Sequence, residues 1–202
     1  MNIVITGTSS GIGKTLAENF RAEGHNVIGL SRHTENVEDI ICDVSNISSI
    51  ENAFQEISKR FESIDLLINN AGFGISGATE LISNEDAHKI FETNFFGVLN
   101  CSRYALPLMK SGARIVNISS VCAMFPLPFR ALYSASKASV NLLSSSMRME
   151  LAPAGIDITC ICPGDTKTNF TKNREKNFET NERYENRIEN ATKKIDKNND
   201  KR

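Results

Sequence analysis

A tyrosine and a lysine, Tyr133 and Lys137, stand four positions apart in a stretch with helical character. Residues at positions i and i+4 share one face of a helix, so this spacing brings a phenol next to an ammonium group. A free tyrosine ionises at about pH 10, and a neighbouring positive charge favours the phenolate and lowers the pKa. The pair predicts proton exchange with a substrate oxygen at neutral pH, although the same spacing also occurs by chance in many helices.

A serine at a strand end gives this pair a partner. Residues 115–118 are typical of a buried strand, which ends in Ser119 and Ser120, and Ser120 lies 13 positions before Tyr133. Sheets of this kind bind ligands at the carboxyl ends of their strands. A hydroxyl there donates to a substrate oxygen on which negative charge builds. The alternative is that the two serines only cap the strand end.

A glycine-rich run over residues 6–13 follows a strand-like segment and opens a helix-like one. Glycine lets the backbone turn sharply and approach a pyrophosphate without a Cβ in the way. The helix N-terminus adds unpaired N–H groups and a positive dipole end. The run predicts a dinucleotide site, with candidate contacts at Gly7, Ser9, Ser10, Gly11, Ile12 and Gly13.

Ser31 and Arg32 end the second strand-like segment and bear on the choice of cofactor. An acidic residue there would accept hydrogen bonds from the 2′-hydroxyl of NAD and repel a phosphate. A guanidinium fork instead binds the 2′-phosphate of NADP. We therefore expect NADP(H), with NAD(H) as the alternative cofactor. A solvated arginine at a strand end is the other interpretation.

Strand-like and helical segments alternate along the chain. The strands are predicted at residues 2–6, 26–31, 39–42, 64–69, 113–119 and 157–162. The helices are predicted at residues 11–22, 47–61, 85–109 and 132–151. The strands have continuous apolar cores, which is typical of parallel strands covered on both faces. The pattern predicts an α/β fold with a doubly wound parallel sheet.

Composition limits the alternatives. The 202 residues suffice for one α/β domain, and the formal net charge of −1 gives no argument for nucleic acid or an anionic membrane as partner. No apolar run approaches the roughly 18–20 residues that span a bilayer, and no signal-peptide pattern opens the chain, so we expect a cytoplasmic location. The five cysteines lack metal-site or Cys-x-x-Cys spacing, so we expect buried thiols and no metal.

The sequence resembles the classical short-chain dehydrogenase/reductase family over residues 1 to about 170. The resemblance rests on residues in the family's order and spacing: the run 6–13, Asp43, Asn69, Asn70, Ala71, Gly72, Asn94, Ser120, Tyr133, Lys137, Pro163, Gly164 and Thr168. It implies a Rossmann-type sheet with strand order 3-2-1-4-5-6 and helices on both faces. It also implies an oxidoreductase that transfers a hydride between NADP(H) and a carbonyl or secondary alcohol.

The resemblance assigns roles to four catalytic candidates. Tyr133 would act as general acid and base, and Ser120 would position the substrate oxygen. Lys137 would hold the nicotinamide ribose and lower the pKa of Tyr133, while Asn94 would support a water-linked proton relay. Read alone, Asn94 is more often a structural hydrogen-bonding residue inside a helix.

Further cofactor contacts are implied at the other strand ends, at Asp43, Val44, Asn70, Ala71, Gly72, Pro163, Gly164, Thr166 and Thr168. Asp43 would face the adenine, and Thr166 or Thr168 would bond the nicotinamide carboxamide. Residues 1–170 would form the catalytic domain, and residues 171–202 a charged lid helix and frayed tail of the same domain. In this tail Tyr184, Ile188, Ala191 and Ile195 form one helical stripe.

Members of the family usually continue past the lid with another helix and a seventh strand, whereas this sequence ends at Arg202. We therefore expect a chain shortened at its C-terminus with the seventh strand missing. The resemblance implies a homodimer through the helices 85–109 and 132–151, and with less support a tetramer. An NADP-binding regulatory or sensor module without turnover is the alternative function.

The apolar segment 124–129 lies between Ser120 and Tyr133 and contains two prolines. It is expected to line the substrate pocket, which would indicate a small apolar carbonyl substrate. Burial against a partner subunit explains the same composition equally well. An extended-branch sugar-nucleotide epimerase would share the tyrosine and lysine but would have a different glycine spacing.

Overall fold

The computed structural model describes residues 1–34, 36–166, 170, 174–191 and 193. Strands and helices alternate through most of this part of the chain. In chain order the elements are β1 (Asn2–Thr6), α1 (Gly11–Ala22), β2 (Asn26–Ser31), β3 (Ile40–Ile41), α2 (Ile47–Arg60), β4 (Ile64–Asn69), β5 (Ile75–Ser76), α3 (Asn84–Phe91), α4 (Gly97–Ala105), β6 (Met109–Ile118), α5 (Ala131–Leu151), β7 (Asp157–Ile161) and β8 (Glu175–Lys176).

Within the described residues, six parallel strands form one sheet in the order β3-β2-β1-β4-β6-β7. Counted without the two-residue strand β5, this is the predicted order 3-2-1-4-5-6. The predicted class, a doubly wound parallel sheet, is confirmed. Strand β5 lies outside this sheet and pairs in parallel with β8. The sequence did not indicate this pairing, because a strand of two residues has no pattern of its own.

Helices pack on both faces of the sheet because successive residues of a strand point to opposite sides. Val4 of β1 belongs to the core on one side, together with Ile50 of α2. Its neighbours Ile3 and Ile5 pack on the other side with Ala17 of α1. This burial on two faces explains why the strand sequences are continuous apolar runs.

The prediction of one helix over residues 85–109 is wrong. In its place the chain forms α3, a π-helical turn over Glu92–Phe96, α4, and a 3-10 turn over Leu106–Leu108, and β6 begins at Met109. Pro107 has no N–H group and a fixed φ, so α4 does not continue through it. The start of β6 was predicted at residue 113 and is found at Met109, and every other predicted bound lies within one residue of the observed one.

The predicted tail helix is found in part. Residues 187–191 and 193 are helical, and Ile188 is buried, but Tyr184 lies in a turn before the helix. Ile195 and the rest of the tail from 194 to 202 lie outside the described residues. Throughout the described ranges, every helix is too short or too polar to span a lipid bilayer.

Candidate active site

A cleft of about 540 Å³ opens at the carboxyl ends of the strands, where doubly wound sheets bind ligands. Most of the predicted site residues line it: Gly7, Ser9, Ser10, Gly11, Ile12, Ser31, Arg32, Asp43, Val44, Asn70, Ala71, Gly72, Ser120, Tyr133, Lys137, Pro163, Gly164 and Thr166. Gly13 and Asn94 lie behind this lining. Thr168 lies outside the described residues.

The glycine-rich loop is held against the end of β4. Gly7 has a φ of +76°, and a Cβ on Gly13 would lie only 2.3 Å from the Gly7 carbonyl oxygen. The Thr6 hydroxyl accepts the backbone N–H groups of Asn70 and of the next residue, each at 2.9 Å. Ser10 precedes α1 and makes no side-chain capping bond. The N–H groups at the N-terminus of α1 are therefore available to a ligand, and their positive dipole end favours a phosphate.

Asn94 is fully buried in the π-helical turn between α3 and α4. Its carbonyl oxygen accepts the Phe73 N–H at 3.0 Å, and its amide group donates to the Phe73 carbonyl at 3.0 Å. The amide also donates to the Ser136 hydroxyl at 3.1 Å. A Cβ on Gly72 would lie 2.9 Å from the Asn94 oxygen and 3.4 Å from Nζ of Lys137. Asn94 thus fixes the backbone that passes Lys137, and π turns recur at functional sites.

Tyr133 forms part of the cleft wall and is only 7% exposed. Its ring packs against Phe170, with the ring centroids 5.7 Å apart. Ser120 lies beside its hydroxyl and acts on its pKa, and the Ser120 side-chain oxygen accepts the Cys122 N–H at 3.2 Å. The two hydroxyl groups are placed to contact one substrate oxygen.

Burial shifts the pKa of both titratable groups at this point of the cleft. It raises the pKa of Tyr133 above its ordinary value, although the Ser120 hydrogen bond and nearby positive charges oppose the shift. Burial also lowers the pKa of Lys137 to about 8, and the Lys137 ammonium donates to the Ile118 carbonyl at 2.8 Å. The expectation that Lys137 gives Tyr133 a lowered pKa is wrong for this structure, because desolvation outweighs the neighbouring charges.

The loop after β2 contains the two residues that bear on cofactor choice. Ser31 is buried and donates its hydroxyl to the His33 carbonyl at 2.7 Å, so its side chain fixes the loop. Arg32 is exposed and lines the cleft. Farther along the cleft, the Asp43 carboxylate accepts the N–H and the hydroxyl of Ser45 at 2.9 and 2.7 Å, which fixes the turn after β3.

The structure also brings to the cleft residues that the sequence analysis missed. Arg130 is buried directly before α5, and Lys89 of α3 forms an ion pair with Glu175 of β8 at 2.5 Å. Phe73 supplies an apolar surface. The one available signal for Arg130 was its position three residues before Tyr133. The others come from segments whose place in the fold their local sequence does not reveal.

The expectation that residues 124–129 line the cleft is wrong. The lining found in the described part of the chain includes none of them. Three of their large apolar side chains are between 42% and 71% exposed. A 3-10 turn over Val121–Ala123 follows Ser120; Val121 and Cys122 still line the cleft, and the lining resumes at Arg130. The apolar wall consists instead of side chains such as Phe73 and Phe170.

Among the described residues, no three His, Cys, Asp or Glu side chains form a group that could hold a metal ion. The five cysteines are free, and three of them are buried.

Comparisons with known proteins agree with this architecture. Residues 1–179 match the family model described as short chain dehydrogenase. A 3-ketodihydrosphingosine reductase of Bacteroides thetaiotaomicron is 41% identical over 178 residues, which cover 85% of this chain and 66% of that protein. The chain spans between 62% and 67% of the length of this and three further curated relatives.

Solved structures are similar as well. A short-chain dehydrogenase from Streptomyces avermitilis superposes with a TM-score of 0.87 at 30% identity, covering 96% of this chain and 78% of that one. A 3-ketoacyl-(acyl-carrier-protein) reductase from Brucella melitensis, in complex with NADH, gives a TM-score of 0.79 at 26% identity, covering 86% and 79%.

Proposed function

This chain belongs to the short-chain dehydrogenase family, and we propose that it is an NADP(H)-dependent oxidoreductase. The reaction is hydride transfer between the cofactor and a small-molecule carbonyl compound or secondary alcohol. Tyr133 acts as the general acid in reduction and as the general base in oxidation. Residues 1–170 form the catalytic domain, and the charged segment from 171 onward belongs to the same domain.

One observation carries the proposal. The hydroxyl groups of Tyr133 and Ser120 line the same cleft as the glycine-rich loop and the uncapped end of α1. An anion-binding helix end and a proton-donating pair thus share one cavity. A protein that only bound a dinucleotide would need the first of these features and not the second.

The residues present fit a phosphorylated dinucleotide. The Gly7 backbone and the start of α1 suit the pyrophosphate. Among the described residues, a Cβ on Gly164 would meet nothing within 4 Å, which leaves room for a ligand beside this backbone. Exposed Arg32 and the absence of an acidic side chain at Ser31 favour NADP(H) over NAD(H).

When bound, the cofactor supplies the hydride. The Tyr133 phenol is protonated at neutral pH, since its pKa is ordinarily about 10 and burial raises it further, and it donates a proton to the carbonyl oxygen. The Ser120 hydroxyl donates a hydrogen bond to the same oxygen while negative charge develops there. Lys137 would hold the cofactor ribose, and Asn94 keeps the backbone next to Lys137 in position.

The test is NADPH oxidation by the purified chain over a panel of ketones, aldehydes, quinones and 3-oxoacyl thioesters. In Tyr133→Phe we expect turnover to fall about a hundredfold or more, because the general acid is lost. NADPH binding, followed by its fluorescence, should be retained. Tyr104→Phe is the matched control, since Tyr104 packs against Phe54 away from the cleft.

Undiminished turnover in Tyr133→Phe would contradict the assignment of the general acid. NADPH binding without turnover of any compound would instead favour a regulatory or sensor module that binds the dinucleotide. Absence of NADPH binding would contradict both functions.

A homodimer fits the surface of α5. Leu142 and Met149 are each 73% exposed on this helix, and with Ala135, Ser139 and Ser146 they follow a 4-3-4-3 spacing. This spacing forms one stripe along a helix and suits packing against a second helix. The partner helix would be α5 of a second copy of the chain, with α4 alongside.

A further inference from the structure

Arg130 is a buried cation in the cleft. Its side chain is part of the cleft lining, and the residue is only 8% exposed. The guanidinium atoms Nε and Nη2 are fully buried and find no hydrogen-bond acceptor in the described part of the chain. Arg21 also has a buried Nε without a partner, but its Nη2 forms an ion pair with Asp39, and Arg130 has no such carboxylate among the described residues.

This arrangement is unfavourable in the free protein. A buried charge without a partner costs several kcal/mol, and arginine cannot relieve the cost by losing its proton. Arg130 also stands at the N-cap position of α5, where the positive end of the helix dipole repels a cation. Buried polar groups in folded proteins are nearly always hydrogen-bonded, so these N–H groups point to a ligand.

The backbone keeps Arg130 in place. The preceding residue, Phe129, has a φ of +62°, an unusual conformation for a bulky side chain. Its carbonyl accepts the Gly77 N–H at 2.9 Å, and its ring packs on Tyr184 with the centroids 6.0 Å apart. Strained backbone of this kind recurs where a side chain is held for function.

The charges around Arg130 leave its guanidinium without a carboxylate. Three acidic residues of the described chain line the cleft: Glu175 is paired with Lys89, Asp43 is bonded to Ser45, and Asp165 forms no hydrogen bond with Nε or Nη2 of Arg130. The positive charges of Arg130 and Arg174 both act on Tyr133 and oppose the rise of its pKa. The surroundings of the phenol are therefore electropositive on the side of Arg130.

We propose that the carbonyl substrate carries a carboxylate or phosphate group, and that Arg130 binds this anionic group while Tyr133 contacts the carbonyl oxygen. This inference rests on the proposed oxidoreductase function. Arg130 and Tyr133 line the same cleft, and the charge of Arg130 acts on the Tyr133 phenol, so one small molecule can contact both. The Phe73 and Phe170 side chains contact the apolar remainder of the substrate.

Binding is measured by titration calorimetry with hexanoate, hexyl phosphate and hexan-1-ol, with and without NADP⁺. At least one anion should bind about tenfold or more tightly than hexanol, as a charged hydrogen bond provides. Arg130→Gln should abolish this preference, and Arg130→Lys should retain part of it. Arg148→Gln should keep the preference, because Arg148 is 63% exposed on the outer face of α5.

Two outcomes of the titration would overturn the proposal. One is hexanol binding as tightly as both anions, and the other is an anion preference that survives in folded Arg130→Gln. The variants are first compared by urea unfolding. Because the guanidinium has no partner among the described residues, its loss should not destabilise the fold, and Arg130→Lys provides a second variant that keeps the charge.

Turnover separates this inference from the proposed function. NADPH oxidation is compared for 3-oxohexanoate, its ethyl ester and a ketone phosphate of similar length. A preference for an anionic substrate of about tenfold in kcat/KM that Arg130→Gln removes would support the inference. Turnover of the ester alone would overturn it and leave the oxidoreductase proposal intact. Anion binding at Arg130 without any turnover would support the anion site and contradict the oxidoreductase.

Discussion

Tyr133 and Lys137 are both buried, and their pKa values move in opposite directions for the same reason. Burial disfavours the charged form, so it raises the pKa of the phenol and lowers the pKa of the ammonium group to about 8. At neutral pH the phenol holds its proton and is ready to donate it. Oxidation of an alcohol needs the phenolate, so we expect the oxidation rate to rise with pH into the alkaline range.

The buried charge of Lys137 makes stability depend on pH. An unfolded lysine titrates at about 10.5, whereas the folded one titrates at about 8. Below pH 8 the Lys137 side chain is charged in both the folded and the unfolded protein, and burial of this charge destabilises the folded state. We expect Lys137→Met to be more stable than the native chain by about 3 kcal/mol there. Between pH 8 and 10.5 the native chain gains stability relative to the variant, so the difference disappears.

Urea unfolding from pH 6 to pH 10 measures this difference. Taking the difference between the two proteins removes the contribution of cysteines that titrate in both. A difference in the free energy of unfolding that stays constant from pH 6 to pH 10 would contradict the lowered pKa of Lys137.

The proposed preference for NADP(H) depends on one side chain, Arg32. This residue is exposed and lines the cleft. In Arg32→Ala we expect NADPH to bind about tenfold to a hundredfold more weakly, because a charged hydrogen bond to the 2′-phosphate is lost. NADH serves as the internal control and should bind equally well to both proteins. Equal weakening for both cofactors would show that Arg32 does not contact the 2′-phosphate.

At the scale of elements, the contact between α1 and the glycine-rich loop depends on Gly13. An added Cβ would lie 2.3 Å from the Gly7 carbonyl oxygen and 2.4 Å from Nδ2 of Asn70. We expect Gly13→Ala to lower the free energy of unfolding by about 1–3 kcal/mol, as overpacking does. Because α1 must move away from the loop, NADPH binding should be lost as well.

Gly164→Ala is the control variant for the unfolding measurement on Gly13→Ala. A Cβ there meets nothing within 4 Å, so stability should not change. NADPH binding should weaken only if the cofactor passes close to this backbone. Equal stability of Gly13→Ala and Gly164→Ala in urea would contradict the close approach of loop and helix.

The elements also show where sequence reasoning was sufficient. The strands were predicted within a residue at nearly every bound, because burial on both faces leaves continuous apolar runs. The break in the helix around Asn94 could not be predicted, since its cause is tertiary. The amide of Asn94 bonds the backbone of Phe73, 21 residues away, and the π turn allows this contact.

The candidate site shows a similar division. Motifs of fixed spacing predicted Ser120, Tyr133 and the glycine-rich loop. Each of them lies on a strand end, on a helix or between the two, so the local sequence is enough to reveal its position. Arg130 belongs to no such motif. Its significance depends on its burial and on which acceptors surround it, and only the folded chain determines these. The prediction that the apolar segment 124–129 lines the cleft was wrong, because composition alone does not reveal which residues of a loop face a cleft.

At the scale of the whole molecule, α5 presents an apolar stripe that a second copy can cover. Burying Leu142 and Met149 would contribute about 2 kcal/mol for each side chain. We expect the protein to sediment as a dimer and the double variant Leu142→Glu, Met149→Glu to sediment as a monomer, because opposed carboxylates would repel at the interface. Val37→Glu is the control, since Val37 is 90% exposed in the loop between β2 and β3. A double variant that keeps the mass of the native protein would rule out α5 as the interface.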